Sequence, residues 1–304
     1  MIYTVTLNPA IDYIIRTKTA VLGGLNRLES DEKLPGGKGI NVSRVLQQFQ
    51  EPSTALGFIG GFSGKFITNW LEKEHIQTDF ISVEEDTRIN VKLKADTETE
   101  FNAKGPEITA SKAQELLNQM NHLKKKDIVI LSGNKQSSLP EDYYEKLIHS
   151  IQKADAQFVI DTTGKELLKA LPYAPLLVKP NHHELADLYN VSFTNQEDMI
   201  PYGKKLIEAG AKNAIISMSG DGALFFTSNQ VYHATVPKGS VVNSVGAGDS
   251  MIAGFIAALV QTNDLMKAFK TSVATGSATA FSHDLAKKTE IDNLLPQVIL
   301  TELT

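Results

Sequence analysis

The chain has no cysteine among its 304 residues. Disulfides, thiolate metal sites and cysteine nucleophiles are therefore excluded, and a reducing compartment, the cytoplasm, suits the composition. No apolar run approaches the ~18 residues of a membrane span, so no membrane partner is expected. There is no basic block, and the net charge is −5. Nucleic acid is therefore not expected as a partner. Residues 1–7 read as a strand and lack the basic and long apolar regions of a signal peptide. Fixed-period repeats and low-complexity linkers are missing too. What is present is a chain that is 42% hydrophobic and 21% charged, the balance of a globular protein with a sizeable core.

Tyr3, Val5 and Leu7 alternate as in a strand, which ends at the turn signal Asn8-Pro9 with Asp12 at its mouth. Residues 13–34 are mixed, with a turn at Gly23-Gly24. Pro35-Gly36-Gly37-Lys38-Gly39 then opens a helix with Val42, Val45, Leu46 and Phe49 on one face. A second glycine cluster, Gly57 to Gly64, precedes a helix carrying Ile67, Trp70 and Leu71. In residues 88–96, Ile89, Val91, Leu93 and Ala95 alternate with Asn90, Lys92, Lys94 and Asp96. That period of two predicts a half-buried antiparallel strand. With residues 13–34 and 97–105 it is expected to form a small sheet apart from the main body.

Beyond residue 108 the pattern becomes regular. Short continuous apolar runs at 128–131, 158–161, 176–178 and 214–216 alternate with helical stretches. Such runs predict an α/β fold, a mostly parallel sheet with helices on both faces. Ligands then bind beyond the carboxyl ends of the strands. The residues there, Ser132-Gly133, Asp161-Thr162, Lys179-Pro180-Asn181 and Ser217 to Gly220, are small and polar like a site rim. We expect one domain over 1–304, with lid segments at about 13–34 and 87–105.

Asn243-Ser-Val-Gly-Ala-Gly-Asp-Ser250 sets a Gly246-Ala247-Gly248 turn before an acid and a helical apolar run. Glycines at a helix start let backbone amides approach an anion, and the helix dipole favours negative charge there. Asp249 in that place makes sense as a base for a hydroxyl attacking a phosphoryl group, or more plainly as a helix cap. Neither a dinucleotide fingerprint nor a Walker loop is present: Met251 takes the third glycine position, and Phe66 follows Gly64-Lys65. At the other glycine helix start, Lys38 can meet a phosphate and Asn41 sugar hydroxyls. Asn181 and Glu184 can hold hydrated Mg²⁺ through waters or simply begin a helix, and a zinc-protease pattern at His183-Glu184 fails at Asp187. Ser217 to Gly222 reads as a glycine turn or a nucleotide contact. Arg88 reads as a surface residue or a phosphate grip.

Taken in order, Thr6 to Asp12, Gly36 to Arg44, Thr87-Arg88, Lys179 to Glu184 and Val245 to Asp249 resemble the PfkB family of ribokinase-like sugar kinases over essentially the whole chain. The resemblance implies a large α/β core with a small β-sheet lid, and transfer of the ATP γ-phosphoryl group to a sugar hydroxyl. It casts Asp249 as the base, with the amides of Gly246, Ala247 and Gly248 as the anion hole. Lys179, Ser217, Ser219, Gly220 and Gly222 flank ATP together with Gly248, and Asn181 and Glu184 belong to the magnesium and phosphate motif. Asp12, Gly36, Gly37 and Asn41 match sugar-holding positions, while Lys38, Arg27 and Arg88 are candidates for the sugar's own phosphate. One departure is Asn243-Ser244, where many relatives carry Asp-Thr. Residues 87–94 and 99–102 are most similar to the lid of members acting on fructose 1-phosphate, which implies fructose 1,6-bisphosphate as product. Tagatose 6-phosphate ranks second, fructose 6-phosphate third, and a non-catalytic sugar-phosphate sensor is the other class. If the lid's polar face meets substrate, its apolar face needs cover, so a homodimer through the lid is expected.

Overall fold

The computed structural model describes residues 1–303. In chain order the strands are β1 (Ile2–Thr6), β2 (Ala10–Arg16), β3 (Ser30–Gly36), β4 (Ser53–Gly60), β5 (Gln77–Thr78), β6 (Ile81–Val83), β7 (Arg88–Lys94) and β8 (Glu98–Phe101). They continue with β9 (Ile128–Ser132), β10 (Gln157–Asp161), β11 (Leu177–Val178), β12 (Ala214–Ser217), β13 (Ala223–Phe226), β14 (Val231–Ala234) and β15 (Leu300–Glu302). The helices are α1 (Lys38–Gln48), α2 (Gly61–Lys73), α3 (Ala110–Gln119), α4 (Tyr143–Lys153), α5 (Gly164–Ala170), α6 (His182–Tyr189), α7 (Ile200–Glu208), α8 (Ala247–Thr262), α9 (Leu265–Ala280) and α10 (Lys288–Leu294).

The large sheet runs β15-β14-β13-β12-β11-β10-β9-β1-β4-β5, with β6 also pairing β4. Its strands are parallel from β4 through β12, and β13 to β15 extend it as an antiparallel edge. The apolar runs follow from burial on both faces. Val129 and Leu131 of β9 join one core with Leu116 of α3 and Leu147 of α4. Ile128 and Ile130 of the same strand join the opposite core with Val45 of α1 and Phe255 of α8. No helix among the described residues is long and apolar enough to cross a membrane.

The small sheet has the order β3-β2-β7-β8, and two details depart from the expected lid. Strand β7 is antiparallel to β8 but parallel to β2, so the sheet is mixed. It also begins at Ala10, because the chain turns at Asn8-Pro9 straight into the lid; Asp12 therefore stands within β2, paired with Asn90. The polarity matters most. Asn90 and Lys92 are 6% and 7% exposed, whereas Ile89 and Phe101 are 37% and 58% exposed. The lid turns its polar face inward.

Candidate active site

Between the carboxyl ends of the parallel strands and this polar face lies a cavity of about 970 Å³. Helix α8 opens into it. Gly246 caps that helix in the left-handed region, at φ 78°, a conformation that costs a residue with a Cβ about 1 kcal/mol or more. One turn on, Asp249 is buried and accepts a hydrogen bond from Asn41 Nδ2 at 2.9 Å. Burial pushes its carboxyl up to about 7 and the Asp161 carboxylate adds to this, against Lys38, the Asn41 hydrogen bond and Lys179. A group poised there can accept a proton near neutral pH.

Asp161 ends β10 and binds two lysines. Its Oδ2 accepts from Lys38 Nζ at 3.0 Å, and its Oδ1 lies 3.7 Å from Lys179 Nζ. Burial would raise this carboxyl, but Lys179 and Lys38 hold it below the usual carboxylate range. Burial would likewise lower the Lys38 ammonium, yet Asp161 and Asp249 together raise it. Two cations thus stand fixed beside the glycine-rich start of α8. The sequence places Asp161 on the expected site rim but does not show that it holds two lysines.

On the lid side, Asp12 Oδ1 accepts from Asn90 Nδ2 at 3.1 Å, and Lys92 Nζ lies 3.5 Å from Asp12 Oδ2. Arg88 donates to the carbonyls of Ala103 and Asn8, both at 3.0 Å. Its Nε is buried without a partner, and burial lowers the guanidinium, against the nearby Asp12. Gly37, Lys38, Asn41 and Arg88 line the cavity. Gly36 does not; it ends β3 beneath Asp12, where a Cβ would sit 2.5 Å from Oδ2. Arg27 is not brought to the site either. It lies exposed on the 17–29 connection, which projects from the far end of β2 and β3. Asn8, Asn90, Lys92, Lys104, Lys135 and Gln136 line the cavity unforeseen. Asn8, Asn90 and Lys92 lie in stretches that carry the family resemblance but are given no role there; Lys104, Lys135 and Gln136 follow no motif, and the fold converges all six.

Besides Lys179, the cavity is lined by Asn181, Glu184, Ser217, Ser219, Gly220 and Gly222. Asn181 caps α6: its Oδ1 accepts from the Glu184 amide at 2.9 Å, and Glu184 Oε2 accepts from the Asn181 amide at 2.8 Å. The plain helix-start reading and the site reading are therefore both true of this motif. Among the described residues, no three His, Asp or Glu converge to hold a metal ion. His183 and Asp187 build no zinc centre.

A glycine-rich helix start, a buried carboxyl of raised pKa and two lysines beside it in a lidded cavity are the parts that phosphoryl transfer requires. A family profile described as pfkB family carbohydrate kinase matches residues 5–291. The chain belongs to that family, and its mixed α/β architecture is the ribokinase-like one. A 1-phosphofructokinase of Bacillus subtilis (strain 168) is 50% identical over 303 residues, covering 100% of both chains. A D-tagatose-1-phosphate kinase of Bacillus licheniformis is 36% identical over 304 residues, again covering 100% of both. The structure of Escherichia coli phosphofructokinase-2 in complex with fructose-6-phosphate aligns at a TM-score of 0.91 and 26% identity, covering 97% of this chain and 98% of that one.

Proposed function

We propose that the protein transfers the γ-phosphoryl group of ATP to the free terminal hydroxyl of fructose 1-phosphate, giving fructose 1,6-bisphosphate and ADP. The observation that carries the chemistry is Asp249, buried at the start of α8, held by Asn41 and shifted to about 7. The choice of sugar rests on the 50% identical 1-phosphofructokinase. A second reading, tagatose 1-phosphate, is favoured by the 36% identical relative, whose name carries the phosphate on the same carbon. Tagatose 6-phosphate has no such support.

Asp249 accepts the proton of the attacking hydroxyl. The amides of Gly246 and Gly248 receive the transferring group, whereas the Ala247 amide already donates to the Ser244 carbonyl at 3.2 Å. Lys38, expected at the sugar's own phosphate, stands instead beside Asp161 and Asp249 and neutralises charge between donor and acceptor. Arg88, with its unpaired Nε, grips the phosphate the sugar already carries. Asp12, Gly37 and Asn41 hold the polyol, and Gly36 keeps Asp12 in place. Lys179, Asn181 and Ser217 to Gly222 hold the nucleotide. The donor set fits Mg²⁺, which keeps most of its waters: Glu184 uses one carboxylate oxygen for the Asn181 amide and leaves the other to accept from metal-bound water. When bound, the ion offsets charge on the ATP phosphates. The lid excludes water and so limits ATP hydrolysis. ATP as donor and the cysteine-free chain fit a cytoplasmic enzyme.

A second copy covers the outer lid face, where Phe101 is exposed and Leu22 of the 17–29 connection is 95% exposed. Arg27, on the same connection, reaches a sugar phosphate only across that interface. The deciding experiment is a coupled assay for ADP release with fructose 1-phosphate, tagatose 1-phosphate, tagatose 6-phosphate and fructose 6-phosphate. Fructose 1-phosphate is expected to give the highest kcat/KM. Saturable binding with no ADP release from any sugar would favour the sensor.

A further inference from the structure

Lys92 sits on the inner face of the lid, 7% exposed, and lines the cavity. A buried ammonium normally fills its three donor positions. Its acidic neighbours are Asp12 Oδ2 at 3.5 Å and Glu100 Oε1 at 3.9 Å, both too long for full hydrogen bonds. The strand register explains the reach. Lys92 pairs with Ile14 of β2, not with Asp12, so the side chain approaches Asp12 diagonally. Lys94 on the same strand is satisfied differently, by an ion pair with Glu98 on the lid itself. Lys92 is thus a cation with unspent donors, turned toward the cavity.

Its place along the strand narrows what it meets. Arg88 lies four residues earlier on β7, roughly 13 Å at strand spacing. The Arg88 guanidinium is held at the Ala103 and Asn8 carbonyls, whereas the Lys92 ammonium turns to Asp12, so the two cations have different partners. Lys92 instead borders a small side pocket together with Asp12 and Asn41, and Asn41 is the residue that holds Asp249. On the proposed reading, Asp12 and Asn41 hold the polyol, so this pocket belongs to the polyol side of the sugar.

We infer that Lys92 is a specificity-determining residue: on substrate arrival its ammonium moves from Asp12 to donate to an oxygen of the polyol, while Arg88 holds the phosphate. This inference rests on the sugar-kinase reading above.

The test is Lys92→Met, assayed with the preferred sugar phosphate and ATP, beside melting of the ligand-free protein. A lost charge-assisted hydrogen bond predicts a sugar KM raised about tenfold or more. The KM for ATP stays within about twofold, and Tm moves by less than about 2 °C because no close contact is lost. Lys92→Arg, which keeps the charge, recovers part of the sugar KM. An unchanged sugar KM overturns the inference. So does a fall in Tm with both KM values rising together, the signature of a residue that only pairs Asp12. Wild-type protein that turns over no sugar in the panel overturns the kinase reading and this inference with it. Active wild-type enzyme beside a variant of unchanged sugar KM overturns this inference alone.

Discussion

Strand β9 of the large sheet and strand β7 of the small one bury opposite kinds of side chain. In β9 both faces are apolar and both are buried, under helices on either side. In β7 the buried face carries Asn90 and Lys92, and the apolar face with Ile89 is open. The large sheet uses burial for stability. The small sheet lends its polar face to a ligand cavity, and its apolar face lacks cover within one chain. The difference teaches that alternation marks two faces without saying which one turns inward.

The largest expected effect lies at the helix that β9 and its neighbours support. Asp249→Asn should lower kcat roughly 10²–10⁴-fold while both substrates still bind, as single-turnover and binding assays would establish. Near-normal turnover would remove Asp249 as the base. For the wild type, kcat should fall about tenfold per pH unit below about 7. Stability runs the other way. The Asp249 carboxyl titrates near 7 in the fold against an ordinary 3.8, so between those values the folded state holds a proton that the unfolded chain has lost. Its contribution is present below about pH 4 and lost as pH rises through about 7. Asp249→Asn should therefore melt above wild type at pH 8, and an equal or lower Tm would argue against a costly buried carboxylate.

Next in size is Leu131→Ala in β9, a fully buried position. It should cost about 2–5 kcal/mol in urea unfolding. Val91→Ala, half-buried on the lid, should cost under about 1 kcal/mol by the same measurement. Equal losses would erase the contrast between the sheets. Smaller again, Arg88→Ala should raise the sugar-phosphate KM roughly 10–100-fold with the ATP KM nearly unchanged. The smallest effect on folding belongs to Phe101→Ser on the outer lid face, within about 0.5 kcal/mol. The same change should shift the protein from dimer toward monomer in light scattering. A wild type that is already monomeric at micromolar concentration would sink the lid interface.

Much of the cavity was legible because backbone demands leave marks in sequence. Gly246 opens α8 in the left-handed region that favours glycine, and Asn181 with Glu184 spells a capping box whether or not a ligand is present. The parallel sheet was legible in β9 and β10 because burial on both faces erases alternation. Illegible were the residues that need two elements at once. Asp161 matters only when Lys38 and Lys179 arrive from α1 and β11's far end. Lys92 looks like one more solvated charge until β2 sets Asp12 beside its strand. Arg27 is a phosphate candidate by family resemblance alone, and its place on the 17–29 connection keeps it from the cavity of its own chain.

By itself the sequence determined the kinds of element, the two glycine helix starts and the acid that follows the second. Those depend on contacts within a few residues, where periodicity, φ and capping act. Tertiary structure alone decided that the lid is polar side in, that Asp249 loses its water and shifts toward 7, and that one carboxylate anchors two lysines. Burial and charge coupling are sums over neighbours distant in the chain, and no local pattern records them.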